Sequence, residues 1–149
     1  MKTVRLPSPG VRQQRGVSLL EVLIAVIILA LGLLGLAGLQ LNALRNNQSS
    51  MERSMAVVES YSIIDAMRID RENALSGGFN IELDADPTEG SFAGNEIAKW
   101  RNRLQDALGE DATGSIACNG AVCTVTVQWN DERGTGGSSS QEIVTEVRL

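Results

Sequence analysis

The sequence predicts an α+β fold in which a long N-terminal helix, apolar in its first half and amphipathic in its second, packs on a small antiparallel β-sheet. No proline stands between Pro9 and Pro87, so one long helix is permitted there. Residues 22–39 contain only Ala, Val, Ile, Leu and Gly, a composition typical of a membrane-spanning helix. Beyond residue 114 the hydrophobic period changes to two, which is typical of strands.

Length and charge divide the chain into four predicted parts. Residues 1–16 are a leader, 17–40 a transmembrane and assembly helix, 41–76 its amphipathic continuation, and 77–149 a globular part with a short helix and the sheet. As a helix, residues 22–39 would be about 27 Å long, close to the ~30 Å hydrocarbon core of a bilayer. The positive-inside rule keeps the leader cytoplasmic and places the acidic remainder across the membrane. The leader has no acid, and its basic residues are Lys2, Arg5, Arg12 and Arg15.

The long helix is predicted to end at Gly77-Gly78, because glycine supplies the backbone conformation that commonly ends helices. Its second half carries a broad apolar band rather than a narrow coiled-coil seam. This band comprises Met51, Met55, Val57, Val58, Tyr61 and Ile64. The charged residues among these positions are expected on the solvent side, and they are Glu52, Glu59, Asp65 and Arg68.

A short helix and a hairpin are predicted after an irregular loop. The helix lies in NEIAKWRNRLQDALG, with Asn95 as its N-cap and Gly109 as its stop. Its apolar stripe comprises Ile97, Trp100, Leu104 and Leu108. The hairpin lies in SIACNGAVCTVTVQW, with Asn119-Gly120 at the turn. Its second strand faces the core through Val125, Val127 and Trp129, and a last strand, QEIVTEVRL, does so through Ile143, Val147 and Leu149.

Cys118 and Cys123 are the only cysteines, and they stand on either side of the predicted turn. In an exported body, oxidation to a structural disulfide is expected. Reduced thiols and a redox pair are the alternatives, although the spacing is not Cys-x-x-Cys and no activating base is near.

Composition argues against several classes of function. The chain has no histidine, which removes the commonest general base and a common metal ligand. No nucleophile elbow or phosphate-binding motif occurs, so no enzyme activity, cofactor or small-molecule substrate is expected. The acidic body does not favour nucleic-acid binding. No metal site is expected either, although the loop with Asp84, Asp86 and Glu89 leaves open calcium binding beside a solvated acidic loop.

Glu21 is the only charged residue between Arg15 and Arg45, and it lies inside the apolar run. A carboxylate in hydrocarbon is costly and normally has a partner, so we expect a partner on another chain. Three glycines in the same run permit either close packing of helices or a segment that can unwind, and both interpretations stay open. They are Gly32, Gly35 and Gly38.

The stretch RGVSLLEVLIAVIIL resembles the class III signal of type IV pilins and their relatives. The resemblance implies that a prepilin peptidase cuts between Gly16 and Val17 and methylates the new amine of Val17. Val17 departs from the pattern, because Phe or Met is more usual there. Glu21 becomes the fifth mature residue, whose carboxylate meets the amino terminus of a neighbouring subunit. The resemblance also implies the type IV pilin-like architecture of a long helix and a C-terminal sheet.

The resemblance further implies a structural subunit, anchored by one pass in the inner membrane with its body in the periplasm, and then assembled into a pilus at the cell surface. Its partners would be the prepilin peptidase, other minor pilins and the major pilin. Within the family the chain is most similar to PilV-like minor pilins, which prime assembly, sit at the fibre tip and support adhesion and twitching motility. The alternatives are a minor pseudopilin of a type II secretion system and a signal-anchored periplasmic binding module that does not polymerise.

Overall fold

A computed structural model describes residues 16–134 and 136–149, and it has the predicted α+β fold. The predicted leader residues 1–15 lie outside the described residues. The chain divides into two compact units between Leu39 and Gln40, and each is described by itself. In chain order the elements are α1 (Leu19–Ile69), α2 (Arg71–Leu75), α3 (Phe92–Leu108), β1 (Thr113–Asn119), β2 (Val122–Trp129) and β3 (Gln141–Arg148).

The predicted single helix is two helices, because Asp70 interrupts it. Asp70 has a non-helical backbone (φ −115°, ψ 55°), and its carboxylate accepts a hydrogen bond from Asn73 Nδ2 at 3.0 Å. Asp is also among the weaker helix formers. The predicted glycine stop is confirmed: Gly77 has φ +85°, and the N–H of Gly78 donates to the carbonyl of Asn73 at 2.8 Å. This is the bonding of a Schellman motif.

The short helix α3 begins earlier than predicted. Its N-cap is Ser91, whose hydroxyl accepts from the N–H of Gly94 at 3.0 Å, so the prediction of Asn95 was wrong. Gly109 caps the other end with φ +110°, as predicted. The predicted apolar stripe is confirmed, since Ile97, Trp100, Leu104 and Leu108 are all buried.

The sheet is antiparallel in the order β1-β2-β3. The β1–β2 register places Cys118 opposite Cys123 and closes on Asn119 opposite Val122. The two turn residues are therefore Gly120 and Ala121, one position later than predicted. Gly120 has φ +61° and Ala121 does not have positive φ, which fits a type II′ turn with glycine first.

The core of the second unit forms where α3 and the inner face of the sheet meet residues 40–69 of α1, the body half of this helix. The predicted inward residues of β2 are confirmed as buried, and those of β3 are partly buried against the core. The largest fully buried side chains are Trp100, Trp129, Phe79, Ile63, Ile64, Met67, Leu104 and Ile116.

Two of the acids expected on the solvent side of α1 instead pack against other elements, Glu52 buried and Glu59 half-buried. Glu52 is 8% exposed, and its carboxylate lies 3.2 Å from the Arg133 guanidinium. Glu59 pairs with Arg103 of α3 at 2.9 Å, and its backbone carbonyl accepts from Trp100 Nε1 at 3.0 Å. The prediction failed because each partner lies far away in the sequence. Asp65 and Arg68 are exposed, as predicted.

Candidate assembly site at the start of α1

Ser18 caps the start of α1. Its hydroxyl accepts from the N–H of Leu20 at 3.3 Å, and its carbonyl accepts from the N–H of Glu21 at 3.0 Å. Glu21 lies in the first turn, where the positive end of the helix dipole favours a carboxylate. The Ser-x-x-Glu pattern of a capping box was present in the sequence but was not used to place this helix end. Glu21 thus has a local role in addition to any role in assembly.

The carboxylate of Glu21 has no ion-pair partner among the described residues. It lies in an open groove along one face of α1, together with Val17. The rest of the groove is apolar and consists of Val22, Ala25, Val26 and Leu29. The first residue after the predicted cleavage site and the predicted assembly carboxylate therefore line the same groove, and nothing described in this chain neutralises the charge.

The apolar side chains of α1 in the first unit point outward, and residues 19–39 are all exposed. Within the described residues, this N-terminal part of α1 contains a stretch long and apolar enough to cross a membrane. Leu34 and Leu39, for example, are 70% and 69% exposed. A continuous apolar surface of this size indicates contact with lipid or with other helices.

The predicted flexible or packing glycines lie in regular helix. A methyl group added to Gly32, Gly35 or Gly38 would meet no atom within 4 Å. No contact of the described residues therefore requires glycine at these positions, although each costs a helix roughly 1 kcal/mol relative to alanine. This fits both interpretations of the three glycines, close packing against other helices and a segment that can unwind.

The second unit contains one cation that the sequence did not reveal as important. Arg101 of α3 donates to the backbone carbonyls of Glu82, Ala85 and Gly114, so it holds the loop before α3 against β1. Burial lowers the pKa of Arg101, and the nearby carboxylates of Asp86 and Asp84 oppose this effect. Within the described residues, no group of three or more His, Cys, Asp or Glu side chains could hold a metal ion.

Cys118 and Cys123 form a disulfide that joins the ends of β1 and β2 next to their turn. The side chain of Asn80 bonds both backbone groups of Cys118. Its Oδ1 accepts from the N–H at 2.7 Å, and its Nδ2 donates to the carbonyl at 3.4 Å. The bridge thus closes the hairpin, and Asn80 fixes the hairpin to the preceding loop, so both belong to the framework of the body.

Residues 11–37 match the family model described as Prokaryotic N-terminal methylation motif. The match includes Gly16, Val17 and Glu21, together with the apolar start of α1. The chain matches no curated protein and no solved structure. The motif and the exposed apolar helix support a subunit of the type IV pilin or pseudopilin class, which is processed by a prepilin peptidase, anchored in a membrane and then assembled. They suggest a structural role rather than an enzymatic one.

Proposed function

We propose that this chain is a PilV-like minor pilin, a structural subunit that primes type IV pilus assembly together with other minor pilins and the major pilin. It sits at the fibre tip and supports adhesion and twitching motility. Residues 1–16 are its removed leader, 17–40 its anchor and assembly helix, 41–76 the amphipathic continuation, and 77–149 its periplasmic globular part. Before assembly it spans the inner membrane once, and afterwards it lies in the pilus at the cell surface.

The observation that carries this proposal is the unpaired carboxylate of Glu21 in the exposed first part of α1, which carries no other charge before Arg45. Burying such a charge among packed helices is strongly unfavourable unless it gains a partner. Cleavage between Gly16 and Val17 creates a new amine on every subunit. The amine of Val17 on one subunit and the carboxylate of Glu21 on its neighbour then neutralise each other, which also fixes the register between the two helices.

The first experiment determines the N-terminus and intact mass of the protein from membranes, with and without a functional prepilin peptidase. The proposal expects a terminus at Val17 with the mass of one added methyl group, and only when the peptidase is present. A chain that still begins at Met1, or one cut inside the apolar run as an ordinary secretory signal is, contradicts the proposal and leaves an anchored or secreted protein.

The second experiment measures incorporation into purified pili. We expect Glu21→Ala to be cleaved normally but to enter fibres at least tenfold less than wild type, because the buried amine of the neighbour loses its partner. The matched control is Glu89→Ala, which removes an exposed carboxylate from the body. Equal incorporation of the two variants would remove the assembly role of Glu21.

Deletion of the gene separates the pilus role from the secretion role that the same N-terminal motif permits. Loss of surface fibres and twitching supports the minor pilin. Retention of normally secreted proteins inside the cell, with fibres intact, points instead to a pseudopilin of a type II secretion system.

A further inference from the structure

Strand β3 forms an open edge of the sheet. The N–H of Leu149 donates to the carbonyl of Ala121 at 2.9 Å, so the backbone of this residue points towards β2. Backbone direction alternates along an antiparallel strand, so every second residue from Arg148 backwards points away from the sheet. No described residue hydrogen-bonds to the backbone of these positions. Their side chains are also exposed, and they are Glu142, Val144, Glu146 and Arg148.

The opposite edge of the sheet is already covered. Ile81 forms an antiparallel bridge with Ile116 of β1, with both hydrogen bonds at 2.9 Å. The side chain of Asn80 bonds both backbone groups of Cys118 on the same strand. The three-stranded sheet can therefore grow only beyond β3.

A second copy of this chain does not fit the open edge in a fibre of parallel helices. β3 runs in the same direction as the body half of α1, because Arg53 Nη2 donates to Gln141 at the start of the strand and Arg71 Nη2 donates to Leu149 beyond its end. Antiparallel pairing of two β3 strands would reverse one α1. Parallel pairing would put the two α1 helices on opposite faces of the joined sheet.

The charges along the outer edge of β3 indicate which strand could pair with it. An antiparallel strand would place a basic residue opposite Glu142 and another opposite Glu146, an apolar residue opposite Val144 and an acid opposite Arg148. Apolar surface lies close by on α1, where Val57 and Tyr61 follow Arg53 at four-residue intervals and are 38% and 54% exposed. The intervening side chains of an added strand would therefore be β-branched residues such as Val, Ile and Thr, whose methyl groups can contact this surface.

We propose that the outer edge of β3 takes an extended segment of a different fibre subunit as a fourth, antiparallel strand. The segment carries an acid–base–apolar–base pattern at alternate positions. This inference rests on the proposed function, because parallel packing of α1 is what excludes a second copy. Backbone pairing supplies the affinity, and the charge pattern selects the partner.

The test uses the full chain in detergent micelles and two labelled peptides, DVKTVIK and its charge-reversed counterpart KVETVIE, with binding followed by fluorescence anisotropy. We expect DVKTVIK to bind at least tenfold more tightly. Val144→Pro should reduce its binding at least tenfold, whereas Val144→Thr should preserve it. Because the N–H of Val144 points away from β2, proline at this edge position leaves the ladder to β2 intact. Equal unfolding midpoints of the proline and threonine variants would show that the fold is intact in both.

Equal binding of both peptides, no binding of either, or equal binding by the proline and threonine variants would overturn the proposal. Self-association of the chain that Val144→Pro abolishes would also overturn it, because the occupant would then be a second copy. Processing between Gly16 and Val17 is measured in the same preparations. Normal processing without peptide binding defeats only this inference, whereas absent processing defeats the proposed function.

Discussion

The contact between Ser49 of α1 and Asp131 of the loop after β2 offers a direct test of how the body is held to the long helix. Asp131 is only 2% exposed, and its carboxylate accepts from the hydroxyl of Ser49 at 2.6 Å. The nearest guanidinium, that of Arg53, is 4.0 Å away and 52% exposed, so it screens the charge poorly. We predict that Ser49→Ala lowers the free energy of unfolding by about 1.5–3 kcal/mol, the usual value of a hydrogen bond to a charged group.

The matched control is Ser54→Ala on the same helix. Ser54 is exposed, and its hydroxyl bonds only the backbone carbonyl of Ser50 at 2.9 Å. Both substitutions gain the same helix propensity, so the difference between them isolates the contact with Asp131. Urea unfolding of the full chain in micelles, followed by tryptophan fluorescence, measures both. A difference below about 0.5 kcal/mol would refute the reasoning, since it lies well under the usual value of a hydrogen bond to a charged group.

Two further predictions concern the contact between α3 and β1. Gly114→Ala should destabilise the body by about 1–3 kcal/mol, because the added methyl would lie 2.3 Å from the ring of Trp100; Gly35→Ala, with open space around it and a better helix former introduced, should not lower the urea midpoint. Arg101→Lys should expose residues 79–90 to limited proteolysis, because one ammonium cannot reach the three carbonyls that the guanidinium bonds. Unchanged cleavage of residues 79–90 in the Arg101→Lys variant would show that Arg101 does not hold this loop.

Local patterns in the sequence predicted much of the fold. The apolar run, the stripe through Trp100, the alternation around Val125 and the glycine stop at Gly77 all follow from periodicity and backbone preference, and the structure has each of them. The errors at element boundaries are also local: Ser91 rather than Asn95 caps α3, and Asp70 divides the long helix.

Contacts between distant parts of the chain could not be predicted in this way. Glu59 was expected in solvent because nothing in the local pattern indicated a partner from another element, yet Arg103 of α3 pairs with it. The role of Arg101 depends on three carbonyls that only the folded backbone brings together. The same holds for the edge of β3, since the exposure of a strand edge depends on sheet order rather than on the strand's own residues.

The attachment of the body to α1 also determines how the protein bears mechanical load. Polar contacts at Ser49, Glu52 and Glu59 and apolar contacts as far as Met67 are spread over about five turns of one helix. A force along the axis of α1 loads these contacts in shear, so several must break together before the body detaches. Such an attachment suits a subunit that is pulled by its helix, because tension on the helix is shared among its contacts rather than concentrated on one of them.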